Sequence, residues 1–464
     1  MTLVPARGSE PAYPDISGAE SYAFLEAFTG ISRQAKADGV LNYGRIVGTR
    51  YERQALAMVR EAFAAAGVDE ITQDDFPLGW PELVPTRLGL TLTGPDGASL
   101  AAPSAFLQGF AKLTPEGGLE ADLVDGGRGT AGDLSGLDLK GKIVFVRVPI
   151  AWAVFRHPGQ ETLARLVEEG EAAGLVMALD QPRGRDNRYA VWTGTEGARL
   201  SWLNVNGEDG AAIADMLARA EGRPVRARMV VEGEILDPKT HPTANLYGLV
   251  RGMSDDLVVL TSHTDSMFQG ATDNASGVAT LVTLARHYAS LPRAERPYSL
   301  LFIATGGHHS GPAAGVRYIR DNRKDIAGRA KIVFNLEHMA SFDPASGDKA
   351  AAGTTITEHG VYVPNESKYL EKVVRDAMAE FGVPATKATA RNYVGDLYPW
   401  YTLRTPAVCL MQNTYWYHSE ADTPDKISPE TLGAVAKVFA RVIDTLGKNP
   451  DADWTRLSAP RTRP

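Results

Sequence analysis

The sequence predicts an α/β fold in which the C-terminal half forms a helix-covered sheet and the middle of the chain forms a separate β-rich segment. From about Thr243, short apolar strands alternate with amphipathic helices, the pattern of a sheet buried on both faces. Between Leu88 and Glu234 the chain is instead rich in glycine, proline and brief β-like runs. At 464 residues it exceeds one ordinary core, so three segments are expected, 1–87, 88–234 and 235–464, the outer two forming one domain around an insertion.

Taken in order, the stretch to about Pro77 reads as helical. Leu56, Val59 and Phe63 recur at helical spacing, and Gly67 supplies a stop. In the middle, the run from Gly141 to Val148 (GKIVFVRV) reads as a buried strand, Glu161 to Gly174 as a helix and Leu175 to Leu179 as a second strand. Strands then follow at Leu257 to Thr261, Ser299 to Ala304, Ile332 to Leu336 and Ala407 to Met411. A helix begins near Ala275 with Val278, Leu281, Val282 and Ala285 on one face. The last helix has Ser428 as N-cap, Pro429 in its first turn, and Leu432, Val435, Phe439, Val442 and Leu446 inward. A Pro/Arg-rich tail follows Ser458.

Composition narrows the function. Hydrophobic residues make up 44% and charged residues 22%, ordinary globular usage. A net charge of −8 speaks against nucleic acid or a polybasic membrane contact and for a small-molecule or peptide-like substrate. The single cysteine, Cys409, can form no internal disulfide and reads as a buried, inert thiol. No run approaches about 18 consecutive apolar residues, and Met1 to Gly18 lacks the pattern of a secretory leader, so a cytoplasmic location is expected unless a leader has been trimmed. Oligomeric state is not legible.

The chemistry collects at strand ends, where open α/β sheets place their ligands. His263 and Asp265 close the first of the four strands, and Asp273 follows in G-A-T-D-N-A-S-G. His308 and His309 follow the second strand, Glu337 and His338 the third, and His418 the fourth, after a Tyr/Trp-rich loop. Of nine histidines in the chain, four lie at these ends, with a fifth at 338. Imidazole and carboxylate together suit Zn²⁺ with an open position for water, one ion or two. Singly each residue has a plainer reading: Asp273 as a helix N-cap, Glu337 as a solvated charge. His287 and His338 are expected to have no role in the site.

With these residues in place, the sequence resembles the zinc-dependent exopeptidases that include aminopeptidase Y, bacterial leucyl aminopeptidases and glutamate carboxypeptidase II. The motifs that carry the resemblance are R-I-V-G-T-R-Y-E-R-Q, N-L-Y-G-L-V-R-G, V-V-L-T-S-H-T-D-S, A-T-D-N-A-S-G-V-A and Y-H-S-E-A-D-T-P-D-K-I. The middle stretch resembles the protease-associated (PA) domain often inserted in that family. The resemblance implies a mixed central sheet flanked by helices. It implies that His263 binds a metal, that Asp265 orients it from behind, that Asp273 bridges two metals, and that Glu337 and His418 are further ligands. Tyr417 falls where some members stabilise an oxyanion. The family has two consecutive glutamates where this chain has His308 and His309. His309 can replace the second as a ligand beside Asp273 and His418, and His308 can replace the first as a general base.

The expected activity is metal-dependent hydrolysis of amide or peptide-like bonds. Tyr393, Tyr398, Trp400, Tyr401, Tyr415 and Trp416 suggest either a substrate with a planar or apolar group or simple core packing. A metal-dependent lyase or acyl-transfer enzyme on the same scaffold, and a non-catalytic binding homologue, are the alternatives.

Overall fold

The computed structural model describes residues 12–107, 111–149, 163, 167–180, 185–190, 200–311, 313–345, 351–365 and 367–452. Of the helix expected from Glu161 to Gly174, residues 161, 162 and 164–166 lie outside these residues, 163 and 167–169 are helical, and Gly174 already opens the strand Gly174–Asp180; the tail after Ser458 lies wholly outside them.

Eight strands build the central sheet: β1 (Glu70–Phe76), β2 (Thr243–Val250), β3 (Ser254–His263), β4 (Tyr298–Thr305), β5 (Ala330–Leu336), β6 (His359–Tyr362), β7 (Ala385–Ala390) and β8 (Ala407–Gln412). Their order across the sheet is β7-β6-β8-β5-β3-β4-β2-β1. The four in the middle, β8, β5, β3 and β4, run parallel, whereas β1, β2 and β6 each pair antiparallel with a neighbour, so the sheet is mixed. Parallel pairing brings the carboxyl ends of the four central strands to one rim, with His263 registered against Thr305.

These strands are buried on both faces, which is why their apolar runs are continuous rather than alternating. Val258, Leu260, Phe302 and Phe334 face the helices Gly18–Ala37, Arg50–Ala65, Ser276–Ser290, Lys368–Glu380 and Pro429–Lys448. Leu257, Val259, Leu301 and Ile303 face Val316 and Ile319 of the helix Ala314–Asn322, together with Trp400. Helix ends fall where the caps predict: the Ser428 hydroxyl accepts from the Thr431 amide at 3.1 Å, and Thr49 caps the helix that stops before Gly67. The stretch up to Pro77 is not helical throughout, because Glu70–Phe76 is the edge strand β1. Its side chains are mostly exposed, so backbone pairing with β2 specifies it and its sequence carries little apolar pattern.

A second eight-stranded sheet occupies the middle of the chain around its own core, which includes Phe145, Val176, Leu203 and Met229. Its two longest strands, Glu82–Thr93 and Arg226–Leu236, pair antiparallel with Glu82 opposite Leu236, so the sheet reaches somewhat beyond Leu88 and Glu234. Backbone bonds tie it to the rim of the central sheet: the Ala190 amide donates to the His418 carbonyl at 2.9 Å and the Glu420 amide to the Arg188 carbonyl at 3.0 Å. Among the described residues, no helix is long and apolar enough to cross a membrane.

Phe302 is fully buried in the centre of the sheet, 6.3 Å ring to ring from Phe63. Truncation to alanine at such a site costs about 3–5 kcal/mol. Phe302→Ala is therefore expected to lower the denaturant midpoint with an unchanged slope.

Candidate metal centre

The loop after β3 is shaped by its own polar side chains. Asn274 donates to the Leu336 carbonyl at 2.9 Å and to the Ser262 hydroxyl at 3.0 Å, stapling the loop to the ends of β3 and β5. The Asp422 carboxylate accepts from the Thr272 amide at 2.7 Å and the Asp273 amide at 3.0 Å. Fully buried Arg45 donates to the carbonyls of Thr264 at 2.7 Å, Gln269 at 2.8 Å and Gly270 at 3.1 Å, with Ser32 as a fourth partner. With its backbone held this way, Asp273 directs its carboxylate inward.

Each carboxylate oxygen of Asp273 meets a different pair of imidazoles. Oδ1 lies 3.1 Å from His263 Nε2 and 3.2 Å from His338 Nε2, while Oδ2 lies 3.3 Å from His418 Nε2 and 3.6 Å from His309 Nε2. His263, His338 and His418 are all buried, and His309 is nearly so. Burial alone would raise the pKa of Asp273; the surrounding imidazoles outweigh it and hold the carboxyl well below its usual range.

The turn after β4 carries His308 and His309, and Asp265 organises it. Its Oδ1 accepts from the His308 amide at 3.0 Å, and its Oδ2 accepts from the His309 amide at 2.9 Å and meets His309 Nδ1 at 2.8 Å. This corrects the expectation that Asp265 orients His263: its carboxylate serves His309, and His263 Nδ1 instead meets the Asp265 backbone carbonyl at 3.1 Å. Buried Glu52 accepts from the Gly307 backbone of the same turn as well as from the Thr243 hydroxyl and the Gly48 amide, and burial pushes its pKa up to about 8.

His308 stacks on His263, with ring centres 4.0 Å apart, and its Nδ1 is 2.7 Å from Asp396 Oδ1. Asp396 in turn accepts from the Thr305 hydroxyl at 2.9 Å. Burial draws the pKa of both His308 and His309 down, but the carboxylates beside them dominate, leaving His308 at about 9 and His309 at about 10 in the metal-free protein. His418 is pulled by burial to about 4. Tyr417 stacks on His418 at 4.0 Å and lies 4.8 Å from the His338 ring.

Among the described residues, three triplets offer ligand atoms within 4.8 Å of one another: His263, His308 and Glu337; His263, Asp265 and His309; and Asp273, His309 and His418. In a tetrahedral zinc site, ligand atoms stand about 3.4 Å apart. His263 Nε2, His338 Nε2 and Asp273 Oδ1 are buried and close, yet not aligned for hydrogen bonds to one another. Lone pairs converging without mutual donors fit a shared cation rather than a hydrogen-bond network.

The sequence profile of peptidase family M28 matches residues 245–443, a span that includes all these imidazoles. Over that span, somewhat less than half of its length, the chain is similar to this family. Among its relatives, aminopeptidase YwaD of Bacillus subtilis (strain 168) is 22% identical over 449 residues, covering 93% of this chain and 87% of that one. A probable glutamate carboxypeptidase, VP8 of Zea mays, is 24% identical over 68% of this chain, which spans 52% of the maize protein's length. Solved structures share the fold: an M28 peptidase precursor of Shewanella amazonensis SB2B, at TM-score 0.73 and 18% identity over 95% of this chain and 96% of that one; and BSAP, a zinc aminopeptidase from Bacillus subtilis, at 0.68 and 19% over 95% and 98%.

Within this fold, several residues stand in the centre that the sequence did not single out. His338, expected to have no role, turns inward because its backbone adopts the left-handed region at φ 51, as His418 does at φ 54. Asp396 and Asp422 support the centre from loops. His287 is buried but remote, paired with Asp15 at 2.7 Å. Of the aromatic residues, Trp400 and Trp416 are core side chains, whereas Tyr398 and Tyr401 are exposed. Cys409 is buried, which raises its thiol well above the ordinary value.

Gly395, at φ 49, lies directly against the Glu337 carboxylate, and an added Cβ would collide with it. Gly395→Ala is expected to displace Glu337 and lower the metal content per chain, read by elemental analysis, while far-ultraviolet circular dichroism stays as in the wild type.

Proposed function

We propose that this chain is a zinc aminopeptidase of the M28 type that releases residues from the amino end of peptides at a dinuclear centre. The observation that carries the reading is the divided carboxylate of Asp273, one oxygen for each cluster of imidazoles. His263, Asp273 and Glu337 would hold one ion; Asp273, His309 and His418 would hold the other. Bound zinc supplies Lewis acidity toward the scissile carbonyl and lowers the pKa of water. The β-rich middle segment is read as a PA-like insertion that walls one side of the cleft.

The chain's own residues then move the proton. His308 stands where the resembling enzymes carry a glutamate, and Asp396 occupies its Nδ1 at 2.7 Å. That leaves Nε2 to take a proton from the attacking water, with Asp396 stabilising the imidazolium and the proton passing to the departing amine. His309 is fixed as a ligand by Asp265 behind it, as carboxylates fix the tautomer of ligating imidazoles. Tyr417 is the group offered to the developing oxyanion.

One observation favours a second reading: His308 offers an atom within ligand distance of His263 and Glu337, so it could complete the first site instead of carrying the proton. Counting metal ions in His308→Ala separates the two. A proton carrier leaves two ions per chain and loses turnover; a ligand takes an ion with it.

The overall reading is tested by chelation and readdition. Removing metal is expected to abolish hydrolysis of amino-terminal amides and zinc to restore it, with His418→Ala reduced more than about 100-fold in kcat/KM. Oxygen-18 from labelled water should enter the new carboxylate. Turnover indifferent to chelator, or product without label, would remove hydrolysis in favour of a lyase or acyl-transfer reaction. Asp396→Asn is expected to cost about 10–100-fold in activity or metal affinity.

A further inference from the structure

Where the second sheet meets the central domain, a small recess lies beside the metal centre. Its walls are apolar and include Tyr43, Phe106, Leu107 and Phe268, with Phe268 in aromatic contact with Tyr43 at 5.3 Å and with Phe106 at 5.0 Å. Its place beside the centre is fixed on two sides. Ala190 in the wall donates its amide to the His418 carbonyl at 2.9 Å, and His309 and Asp265 lie close enough to act electrostatically on Glu82 in the same wall.

Two acceptors line this apolar recess without a protein donor, one buried at Asn42 and one half-buried at Glu82. Asn42 is buried, and its amide nitrogen is spent on the Leu83 carbonyl at 3.3 Å, while its Oδ1 has no hydrogen-bond partner. Among the described residues, no lysine, arginine or hydrogen-bond donor pairs with the Glu82 carboxylate. Burial pushes the Glu82 carboxyl up to about 8, as expected of an acid in an apolar site that lacks a cation. An unpaired buried acceptor such as Asn42 Oδ1 costs about 1–3 kcal/mol, and the half-buried Glu82 carboxylate beside it favours a counter-charge, so the site is completed by a ligand that brings donors and positive charge. The recess holds about 40 Å³, room for one small polar group and not for a ring.

We propose that Glu82 and Asn42 form a recognition site for a primary ammonium group of the substrate, seated in the aromatic recess beside the metal centre. The proposal rests on the reading of the chain as a peptide-bond hydrolase and names the chemistry its substrates share. A primary ammonium has three donors and a full charge, which matches one carboxylate and one amide oxygen, and aromatic faces add cation–π attraction. The same group occurs at a peptide's amino end and at the tip of a lysine side chain.

The test uses the zinc-loaded protein and Glu82→Gln, which keeps the shape and removes the charge. Binding of n-butylammonium, measured by calorimetry, is expected to weaken at least about tenfold in Glu82→Gln, a loss typical of a charged hydrogen bond in a buried site. This readout does not depend on turnover, so it stands apart from any failure of the hydrolase reading. Kinetics then assign the source. A fall in the lysine-to-norleucine ratio of kcat/KM on matched p-nitroanilides supports the proposal and places a lysine tip in the recess. A fall instead in the ratio of free-amine to N-acetylated substrates supports it and places the amino end there. Equal n-butylammonium affinity in wild type and Glu82→Gln overturns it.

Discussion

A single buried carboxylate sets the terms for the rest of this molecule. An isolated ionised acid in the interior is prohibitively costly, and removing one partner of a buried pair is costlier than never having built it. Asp273 escapes that cost because imidazoles from the loops after four different strands face its two oxygens. Meeting that condition requires the strands to run parallel and to end at a common rim, which requires helices on both faces of the sheet to cover its crossovers. The architecture follows from bringing distant nitrogens to one acid.

The rim is also electrically patterned. Asp265 faces His309 and Asp396 faces His308, so each imidazole of this adjacent pair has its own acid. The two adjacent histidines of this turn thus draw their negative charge from behind, and Glu82 adds an acid across the boundary to the second sheet.

What the sequence disclosed, and what it concealed, divides along physical lines. The central strands were legible because burial on both faces forces continuous apolar runs, and the last helix because Ser428 and Pro429 mark its start. The strand Glu70–Phe76 was not, since its partner specifies it through the backbone while its side chains face water. His263, Asp273, His309, Glu337 and His418 could be picked out by residue type and position after strands. Asp396 could not, because it sits in the loop G-D-L-Y-P-W-Y-T-L, where no periodicity points a side chain anywhere. His338 was set aside because its inward turn depends on a left-handed backbone, invisible in residue identity. The resemblance implied that Asp265 orients His263, but the chain turns after β3 and hands the Asp265 carboxylate to the next loop.

Arg45 brings one more consequence. Its guanidinium binds three carbonyls of the loop that presents Asp273, and it lies near the acids at 265, 273 and 422, whose charges oppose the lowering of its pKa by burial to about 10. The loop thus has an internal counter-ion of its own before any inorganic cation arrives. Chains that need their metal in order to fold pass through a collapsed or unfolded apo state. Here a fixed organic cation does the scaffolding, so the loop that presents Asp273 owes its shape to a charge carried in the polypeptide itself.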